Sequence, residues 1–403
     1  MSLNNRDAYI VYAKRTPIGK LGGSLAHLRV DDMLANLFRD FSQNFDFDMK
    51  EIDDVIVGCA NQAGEDNRNL ARMAALLGGL PYEVPGVTLN RLCASSLDAI
   101  IDGWSRINLG MADCLLVGGA ESMTRAPLVI SKGSTPFGRD SQMFDTTFGW
   151  RFPNKKMEEM FPLLGMGQTA EEVVAKLGIS REDQDLFALA SHQKACQAWE
   201  NGDFNDEVLP VEIKLRKQTL TVEKDEGPRP STTLEALAGL RAVFKKDGSV
   251  TAGNSSMMND GAACVALVSE EFLKRHNLTP LVKLTGAGVR GIHPSIMGLG
   301  PVESTKRLMD KFGKKISDFD VIELNEAFAA QSLGCIRELG LDESKINLRG
   351  GAISLGHPLG CSGARIVTTL THIMKDNANL KQGLASMCVG VGQGVSLSIE
   401  NCK

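Results

Sequence analysis

The order of helix-like and strand-like segments in this chain occurs twice. In the first half, residues 31–41 have the apolar spacing of a helix, and residues 52–58 form the short apolar run of a buried strand. In the second half, residues 303–312 and 316–324 show the same two patterns in the same order. This repetition predicts two copies of one folding unit, related by an internal two-fold axis.

The strands that close the two halves are alike as well. Residues 114–119 and 384–390 are apolar runs that each end in glycine. Because helices alternate with short apolar strands in both copies, we predict an α/β fold built from packed layers. A chain of 403 residues is too long for one hydrophobic core, so more than one domain is expected.

A segment of different character separates the two copies. Residues 122–250 are polar, rich in methionine, and interrupted by proline and glycine. We therefore predict an N-terminal domain of residues 1–121 and 251–270, an inserted loop domain of residues 122–250, and a C-terminal domain of residues 271–403.

The charge of the chain limits its ligands. A formal net charge of −5 argues against nucleic-acid binding, because that function usually requires a strongly basic surface. Residues 211–246 are locally basic, since they hold eight Lys or Arg against five acidic residues. This stretch is a candidate anion site, and a solvated loop face is the alternative.

The remaining composition points to the cytoplasm. The apolar runs are too short for a membrane span, and the N-terminus lacks a signal-peptide pattern. The nine cysteines are scattered, without CxxC pairs or histidines at metal-ligand spacing. We interpret them as reduced thiols and predict no metal site.

Cys93 is the first candidate for chemistry. It precedes Ser95, and a helical run then extends to Ile107. Backbone N–H groups at a helix N-terminus stabilise negative charge, so the pKa of this thiol is expected to fall and yield a nucleophilic thiolate. A cysteine packed in the core is the alternative, since free cysteines are commonly buried.

His357 is the second candidate, in a run of small residues from 350 to 363. Glycines allow unusual backbone conformations there, and Ser362 is expected to cap the helix that follows. A structural histidine is the alternative, and the His293-Pro294 pair shows that not every histidine here is a candidate.

Two further segments carry polar groups at strand ends. Cys388 meets the glycine loop of residues 390–394, whose backbone amides are suited to a developing oxyanion. A phosphate cradle is the alternative there, although the glycine spacing is not that of a nucleotide-binding loop. Asn325 lies at a strand-to-helix junction and is expected either to orient a water or to cap the helix.

Taken together, these motifs resemble the thiolase family, and the match runs in order along essentially the whole chain. The residues that carry the resemblance are 90–93 (NRLC), 118–123 (GGAESM), 251–256 (TAGNSS), 325–328 (NEAF), 356–358 (GHP) and 388–390 (CVG). The resemblance implies a five-layered αβαβα core made of two similar domains, with the inserted loop domain covering CoA.

The resemblance also implies catalytic roles. Cys93 would attack the thioester substrate, His357 would activate that thiol, and Cys388 would move the proton on the carbon alpha to the carbonyl. Two oxyanions form at different steps. One would bind to His357 and a water held by Asn325, and the other to the backbone N–H groups of Cys93 and Gly390.

CoA is expected as a substrate, and no cofactor is implied. By resemblance, Arg229 would lie near the adenine and Ser256 along the pantetheine. The residues that would line the tunnel are Met166, Phe244, Ala252, Met258, Met297, Ala327 and Phe328. Expected partners are CoA, acyl-CoA and a second copy of the chain in a homodimer or homotetramer, with a β-oxidation partner subunit as an alternative.

Within the family, the preferred activity is that of a degradative 3-ketoacyl-CoA thiolase, an acetyl-CoA C-acyltransferase. Gly165 stands where biosynthetic acetoacetyl-CoA thiolases carry a histidine, which favours a roomier acyl pocket. An acetyl-CoA acetyltransferase is the next alternative, and a 3-oxoadipyl-CoA thiolase, which residues 145–152 resemble, is the third. A decarboxylating ketoacyl synthase is disfavoured by the second cysteine, Cys388. A non-catalytic acyl-CoA or lipid carrier is a remote alternative from another class.

Overall fold

The computed structural model describes residues 6–403. Its strands are β1 (Ala8–Arg15), β2 (Gly19–Lys20), β3 (Asp54–Gly58), β4 (Gly86–Leu89), β5 (Cys114–Ser122), β6 (Leu128–Ile130), β7 (Met143–Asp145), β8 (Val211–Lys214), β9 (Thr219–Val222), β10 (Asn259–Ser269), β11 (Val282–Gly291), β12 (Val321–Leu324), β13 (Gln382–Val389) and β14 (Gln393–Asn401).

The α-helices are α1 (Val30–Asn44), α2 (Leu70–Leu77), α3 (Ser95–Asn108), α4 (Lys155–Met160), α5 (Met166–Leu177), α6 (Arg181–Asn201), α7 (Leu234–Ala238), α8 (Glu270–Arg275), α9 (Gly300–Phe312), α10 (Ala329–Leu339), α11 (Ala352–Leu355) and α12 (Ser362–Asp376). Short 3₁₀ turns are formed by Met49–Glu51, Leu92–Ala94, Pro294–Leu299, Ile316–Asp318, Glu343–Lys345 and Leu359–Cys361.

The strand pairing confirms the duplication. In the first half, β3 pairs in parallel with β5, β5 pairs antiparallel with β10, and β10 pairs antiparallel with β1. In the second half, β12, β13, β14 and β11 repeat the same sequence of pairings. The two sets join where Tyr9 and Ile10 of β1 pair with β11, which makes a ten-stranded sheet.

Helices pack on both faces of each half of this sheet. On the outer face of the first half, α1 buries Met33, Leu34, Leu37, Phe38 and Phe41, which follow the three- and four-residue spacing of an amphipathic helix. On the outer face of the second half, α9 and α10 contribute to a corresponding core.

Helices α3 and α12 lie between the two halves and share one hydrophobic core with β1, β5, β10, β13 and β14. Because it is covered on all sides, α12 is buried from Ser362 to Met374, although it carries several polar residues. The arrangement is the expected αβαβα stack, and this predicted fold is confirmed.

The segment between β5 and β10 is fastened to the core by a buried cation. Arg15, at the end of β1, is fully buried. Its guanidinium donates to Glu207 (2.7 Å) and Asp225 (2.7 and 3.0 Å), which both belong to that segment. The predicted domain boundaries themselves stay a prediction. No helix in residues 6–403 is both long and apolar enough to cross a membrane.

Candidate active site

A rigid turn presents Cys93 between β4 and α3. Leu92 has a positive φ of 48°, a conformation that is strained for a residue with a side chain. Hydrogen bonds hold it there, because Asn90 Oδ1 accepts from Leu92 N (2.8 Å) and Ser95 Oγ donates to Leu92 O (2.6 Å). Cys93 is half-buried within this turn.

Burial dominates the ionisation of Cys93. It raises the pKa of the thiol to about 11, although the backbone N–H groups of Gly390 and of Cys93 itself act in the opposite direction. The expected low pKa is therefore wrong, because the short turn offers few amides and the surrounding core removes water. The backbone amides of Cys93 and Gly390 both lie close enough to the thiol to favour its charged form.

His357 is held by a hydroxyl on the following helix. Its Nδ1 lies 2.6 Å from Ser362 Oγ, and that hydroxyl donates its single proton to Pro358 O (2.8 Å). In this arrangement Nδ1 carries the imidazole proton and donates it to Ser362 Oγ, which leaves a lone pair on Nε2. Nε2 is buried and has no hydrogen-bond partner among residues 6–403.

The surroundings keep His357 neutral. Burial lowers the pKa of its imidazole to about 3, and the positive charge of Arg365 acts in the same direction. The backbone is also fixed, because His357 N donates to Asn259 Oδ1 (3.0 Å). At the preceding Gly356, φ is +112° and a Cβ would lie 2.5 Å from Asn259 Cγ, so a side chain is excluded.

Cys388 is the penultimate residue of β13 and lies near Cys93. Burial raises the pKa of its thiol well above the usual value, and negative charge on Cys93 would raise it further. Asn325 follows β12 on the same edge, where its backbone N–H donates to Ser386 O (2.9 Å).

The side chain of Asn325 is buried, and neither its Oδ1 nor its Nδ2 has a partner in the described part of the chain. Since α10 begins later, at Ala329, and has no side-chain cap, the alternative that Asn325 caps this helix is wrong. An unpaired buried amide is costly, so Asn325 is suited to bind a water or a substrate oxygen.

An apolar cluster adjoins Cys388 and contains most of the predicted tunnel residues. Its members from that prediction are Met166, Phe244, Met297, Ala327 and Phe328. Ser256 adjoins the cluster, because its backbone N–H donates to Ala327 O (3.0 Å). Met258 is half-buried outside the cluster, and Ala252 is exposed.

Arg229 lies on the surface of the inserted segment. Its backbone N–H donates to His192 Nδ1 (3.3 Å), and Nη2 lies 3.7 Å from Met257 Sδ. Within residues 6–403 no carboxylate pairs with its guanidinium, which leaves the positive charge available for an anion.

Comparison with known proteins decides the family. Residues 8–271 match the model "Thiolase, N-terminal domain", and residues 278–401 match "Thiolase, C-terminal domain". This chain belongs to the thiolase family. The thiolases are acyltransferases, and the predicted family is confirmed.

Individual relatives match almost the whole length of this thiolase. The "Beta-ketoadipyl-CoA thiolase" of Pseudomonas aeruginosa is 51% identical over 98% of this chain and 99% of its own length. The "3-oxoadipyl-CoA/3-oxo-5,6-dehydrosuberyl-CoA thiolase" of Escherichia coli is 49% identical over the same shares. The crystal structure of human mitochondrial 3-ketoacyl-CoA thiolase in complex with CoA superimposes with a TM-score of 0.91 at 39% identity, covering 99% of both chains.

Sequence reasoning missed a buried carboxylate that organises this thiolase site. Glu121, at the end of β5, accepts the backbone N–H groups of Ala60 (2.9 Å) and Gly360 (2.8 Å) on Oε2, and that of Asn61 (3.2 Å) on Oε1. Burial raises its pKa to about 7. Glu121 therefore joins the loop after β3 to the turn that follows His357. The motif GGAESM was recognised, but nothing in it indicates these partners.

Sequence reasoning also assigned the wrong role to Ser362. The helix α12 has no side-chain cap, and the Ser362 hydroxyl instead bridges His357 Nδ1 and Pro358 O. A serine five residues after a histidine, at the start of a helix, is the signal that would have indicated it.

Proposed function

We propose that this thiolase cleaves 3-oxoadipyl-CoA, also called β-ketoadipyl-CoA, with CoA to give acetyl-CoA and succinyl-CoA. The names of the relatives at 49–51% identity carry this proposal. The human 3-ketoacyl-CoA thiolase is more distant, at 39% identity. The comparisons thus favour the third alternative over the general degradative activity that we preferred from the sequence.

The proposed reaction begins with a neutral thiol and a neutral imidazole. Cys93 attacks the ketone carbon of the substrate while His357 Nε2, which has a free lone pair, takes the thiol proton. The backbone N–H groups of Cys93 and Gly390, which both lie beside the thiol, stabilise the oxygen of the tetrahedral intermediate.

The carbon–carbon bond then breaks and leaves the succinyl group on Cys93. The departing fragment is the enolate of acetyl-CoA, and Cys388 donates the proton that its carbon requires. A thiol whose pKa is well above the usual value holds this proton at neutral pH. The enolate oxygen binds to protonated His357 and to a water on Asn325, whose amide has no protein partner.

A second CoA completes the cycle. Its thiol gives its proton to the Cys388 thiolate and attacks the succinyl thioester on Cys93. The Cys93 thiolate that leaves takes its proton back from His357, and succinyl-CoA departs. The CoA contacts that we propose are Arg229 at the adenine end and Ser256 along the pantetheine, with the apolar cluster of Met166, Phe244, Met297, Ala327 and Phe328 enclosing the reacting end. Ala252 and Met258 stay predicted contacts.

The test is a comparison of thiolysis rates. We expect kcat/KM for 3-oxoadipyl-CoA to exceed that for 3-oxohexanoyl-CoA, which has the same carbon number but no terminal carboxylate, and that for acetoacetyl-CoA. A preference for 3-oxohexanoyl-CoA would restore the general degradative activity, and a preference for acetoacetyl-CoA would favour an acetyl-CoA acetyltransferase. Binding of all three without turnover would support the carrier alternative.

Other expectations stay predictions. They are the cytoplasmic location, the homodimeric or homotetrameric state, the partner subunit of a multienzyme complex, and catalysis without a metal or cofactor.

A further inference from the structure

Arg151 carries a half-buried positive charge that no carboxylate neutralises. Its Nη2 donates to Asn61 Oδ1 (3.0 Å) and lies 3.4 Å from Asn61 O, and its Nη1 lies 3.4 Å from Thr146 O. All three acceptors are neutral, and no ion pair to Arg151 exists within residues 6–403. A guanidinium has five donor hydrogens in a fork that matches a carboxylate, so this group has unused binding capacity.

Asn61, which accepts a hydrogen bond from Arg151, belongs to the loop that supports the turn of Cys93. The backbone N–H of Asn61 donates to Glu121, and the neighbouring Ala60 O accepts from Asn90 Nδ2 (2.8 Å). Asn90 is the residue whose side chain fixes the turn before Cys93. The guanidinium is therefore supported by the same loop that supports Cys93.

The residue before Arg151 contacts a second segment beside the site. Trp150 Nε1 donates to Leu164 O (3.1 Å), two residues before Met166. A Cβ placed on Gly390 would lie 3.7 Å from Met166 Sδ, so Met166 packs beside the proposed oxyanion donor. The Trp150–Arg151 pair thus bridges two segments that converge on Cys93.

We infer that Arg151 binds the terminal carboxylate of the substrate's acyl chain. This inference rests on the proposed function, which requires a substrate with a second carboxylate. In an extended chain that carboxylate lies three bonds beyond the ketone carbon, or about 4 Å, so its partner must stand in the wall of the acyl pocket.

Two other arginines, Arg91 and Arg125, are already engaged with carboxylates. Arg91, two residues before Cys93, pairs with Asp98 (2.8 Å). Arg125 pairs with Glu65 (2.6 Å). Neither offers a free charge to a substrate, whereas Arg151 would exchange its two long contacts to carbonyl oxygens for a charge-assisted pair.

The test compares two substrates in Arg151→Met. We measure kcat/KM for 3-oxoadipyl-CoA and 3-oxohexanoyl-CoA, which differ by the terminal carboxylate. The kcat/KM for 3-oxoadipyl-CoA divided by that for 3-oxohexanoyl-CoA should fall roughly 10- to 100-fold. This is the range expected for the loss of one charge-assisted hydrogen-bonded pair. Activity on 3-oxohexanoyl-CoA should persist and shows that the variant is folded.

Two further variants sharpen the result. Arg151→Lys keeps the charge but not the fork, so its ratio should lie between those of the wild type and Arg151→Met. Arg139→Met removes an exposed arginine from the loop between β6 and β7 and should leave the ratio unchanged.

Three outcomes would overturn the inference. If Arg151→Met lowers kcat/KM equally for both substrates, the side chain only anchors its loop. If the ratio stays at the wild-type value, another group binds the carboxylate. If the wild type itself does not prefer 3-oxoadipyl-CoA, the proposed function fails and the inference fails with it.

Discussion

Ser362 Oγ lies 2.6 Å from His357 Nδ1 and donates a hydrogen bond to Pro358 O (2.8 Å). This contact fixes the tautomer that leaves Nε2 free to act as a base. Ser362→Ala should therefore lower kcat roughly 10- to 100-fold with little change in KM, because the histidine stays present but loses its orientation. Steady-state thiolysis kinetics measure both constants.

A matched control for this variant is Ser332→Ala. Ser332 is also a fully buried serine on a helix, but its hydroxyl has no partner in the described part of the chain. It should keep the wild-type kcat. An equal loss of kcat in the two variants would mean that Ser362 contributes to packing and does not orient the His357 imidazole.

The protonation states of the proposed pair predict an alkylation profile. Burial raises the pKa of Cys93 to about 11, and burial together with Arg365 lowers the pKa of His357 to about 3, so both groups are neutral at pH 7. In the free enzyme, the rate of iodoacetamide labelling of Cys93 should rise roughly tenfold for each pH unit between pH 6 and 9, since only the thiolate reacts. A rate that is flat over this range would indicate a preformed thiolate–imidazolium pair.

Most of the fold could be predicted from local patterns. The helix predicted at residues 31–41 is part of α1 (Val30–Asn44), and the repeated order of patterns corresponds to repeated strand pairing. The run 316–324 was predicted as one strand, but only Val321–Leu324 is extended. Its first part is a 3₁₀ turn closed by Lys315 N donating to Asp318 Oδ2 (2.7 Å). Apolar content alone does not distinguish a turn that packs an isoleucine from a strand.

The residues of the candidate site could be predicted from the sequence, but the pKa values of their side chains could not. The candidate residues lie in motifs that can be read locally, whereas the pKa of Cys93 depends on burial and on the amide of Gly390, almost 300 residues away in the chain. Arg151 likewise becomes distinctive only when the fold shows that its neighbours are neutral. Such properties arise from contacts distant in sequence, which no local pattern contains.

Arg229 tests the proposed CoA site. Arg229→Ala should raise KM for CoA severalfold and leave kcat nearly unchanged, because a contact far from the reacting atoms binds ground state and transition state equally. Arg216→Ala, which removes another exposed arginine of the basic stretch, should change neither constant. A loss of kcat at constant KM in Arg229→Ala would place this residue elsewhere.

A substitution of Arg15 tests how much its buried ion pairs with the inserted segment stabilise the fold. Arg15→Met leaves the buried Asp225 without a cation and the buried Glu207 with only the more distant Arg349 (3.7 Å). Removing one partner of a buried pair typically destabilises a protein by about 3–5 kcal/mol. Thermal unfolding should show a clearly lower Tm. Arg275→Met, which breaks an exposed pair with Glu51, should change the Tm little because solvent screens that pair. Similar Tm values for the two variants would mean that the buried network contributes no net stability.

Replacing each of the two cysteines of the proposed site should abolish a different half-reaction. Cys388→Ser should still accept an acyl group on Cys93, because acylation needs only His357 and the oxyanion donors. It should not exchange the alpha protons of acetyl-CoA. Cys93→Ser should lose acylation and keep slow proton exchange, since a serine hydroxyl is hardly ionised near neutral pH.

Mass spectrometry of the acyl-enzyme and deuterium uptake into acetyl-CoA in heavy water measure the two half-reactions separately. Cys335→Ser is the matched control, because Cys335 is a buried thiol beside Cys388 whose hydrogen bond to Gly298 O (3.3 Å) a serine can replace. It should keep both half-reactions. Deuterium uptake at the wild-type rate in Cys388→Ser would remove Cys388 from the proposed mechanism, and His357, whose Nε2 is the other free base in the site, would then be the group that moves the alpha proton.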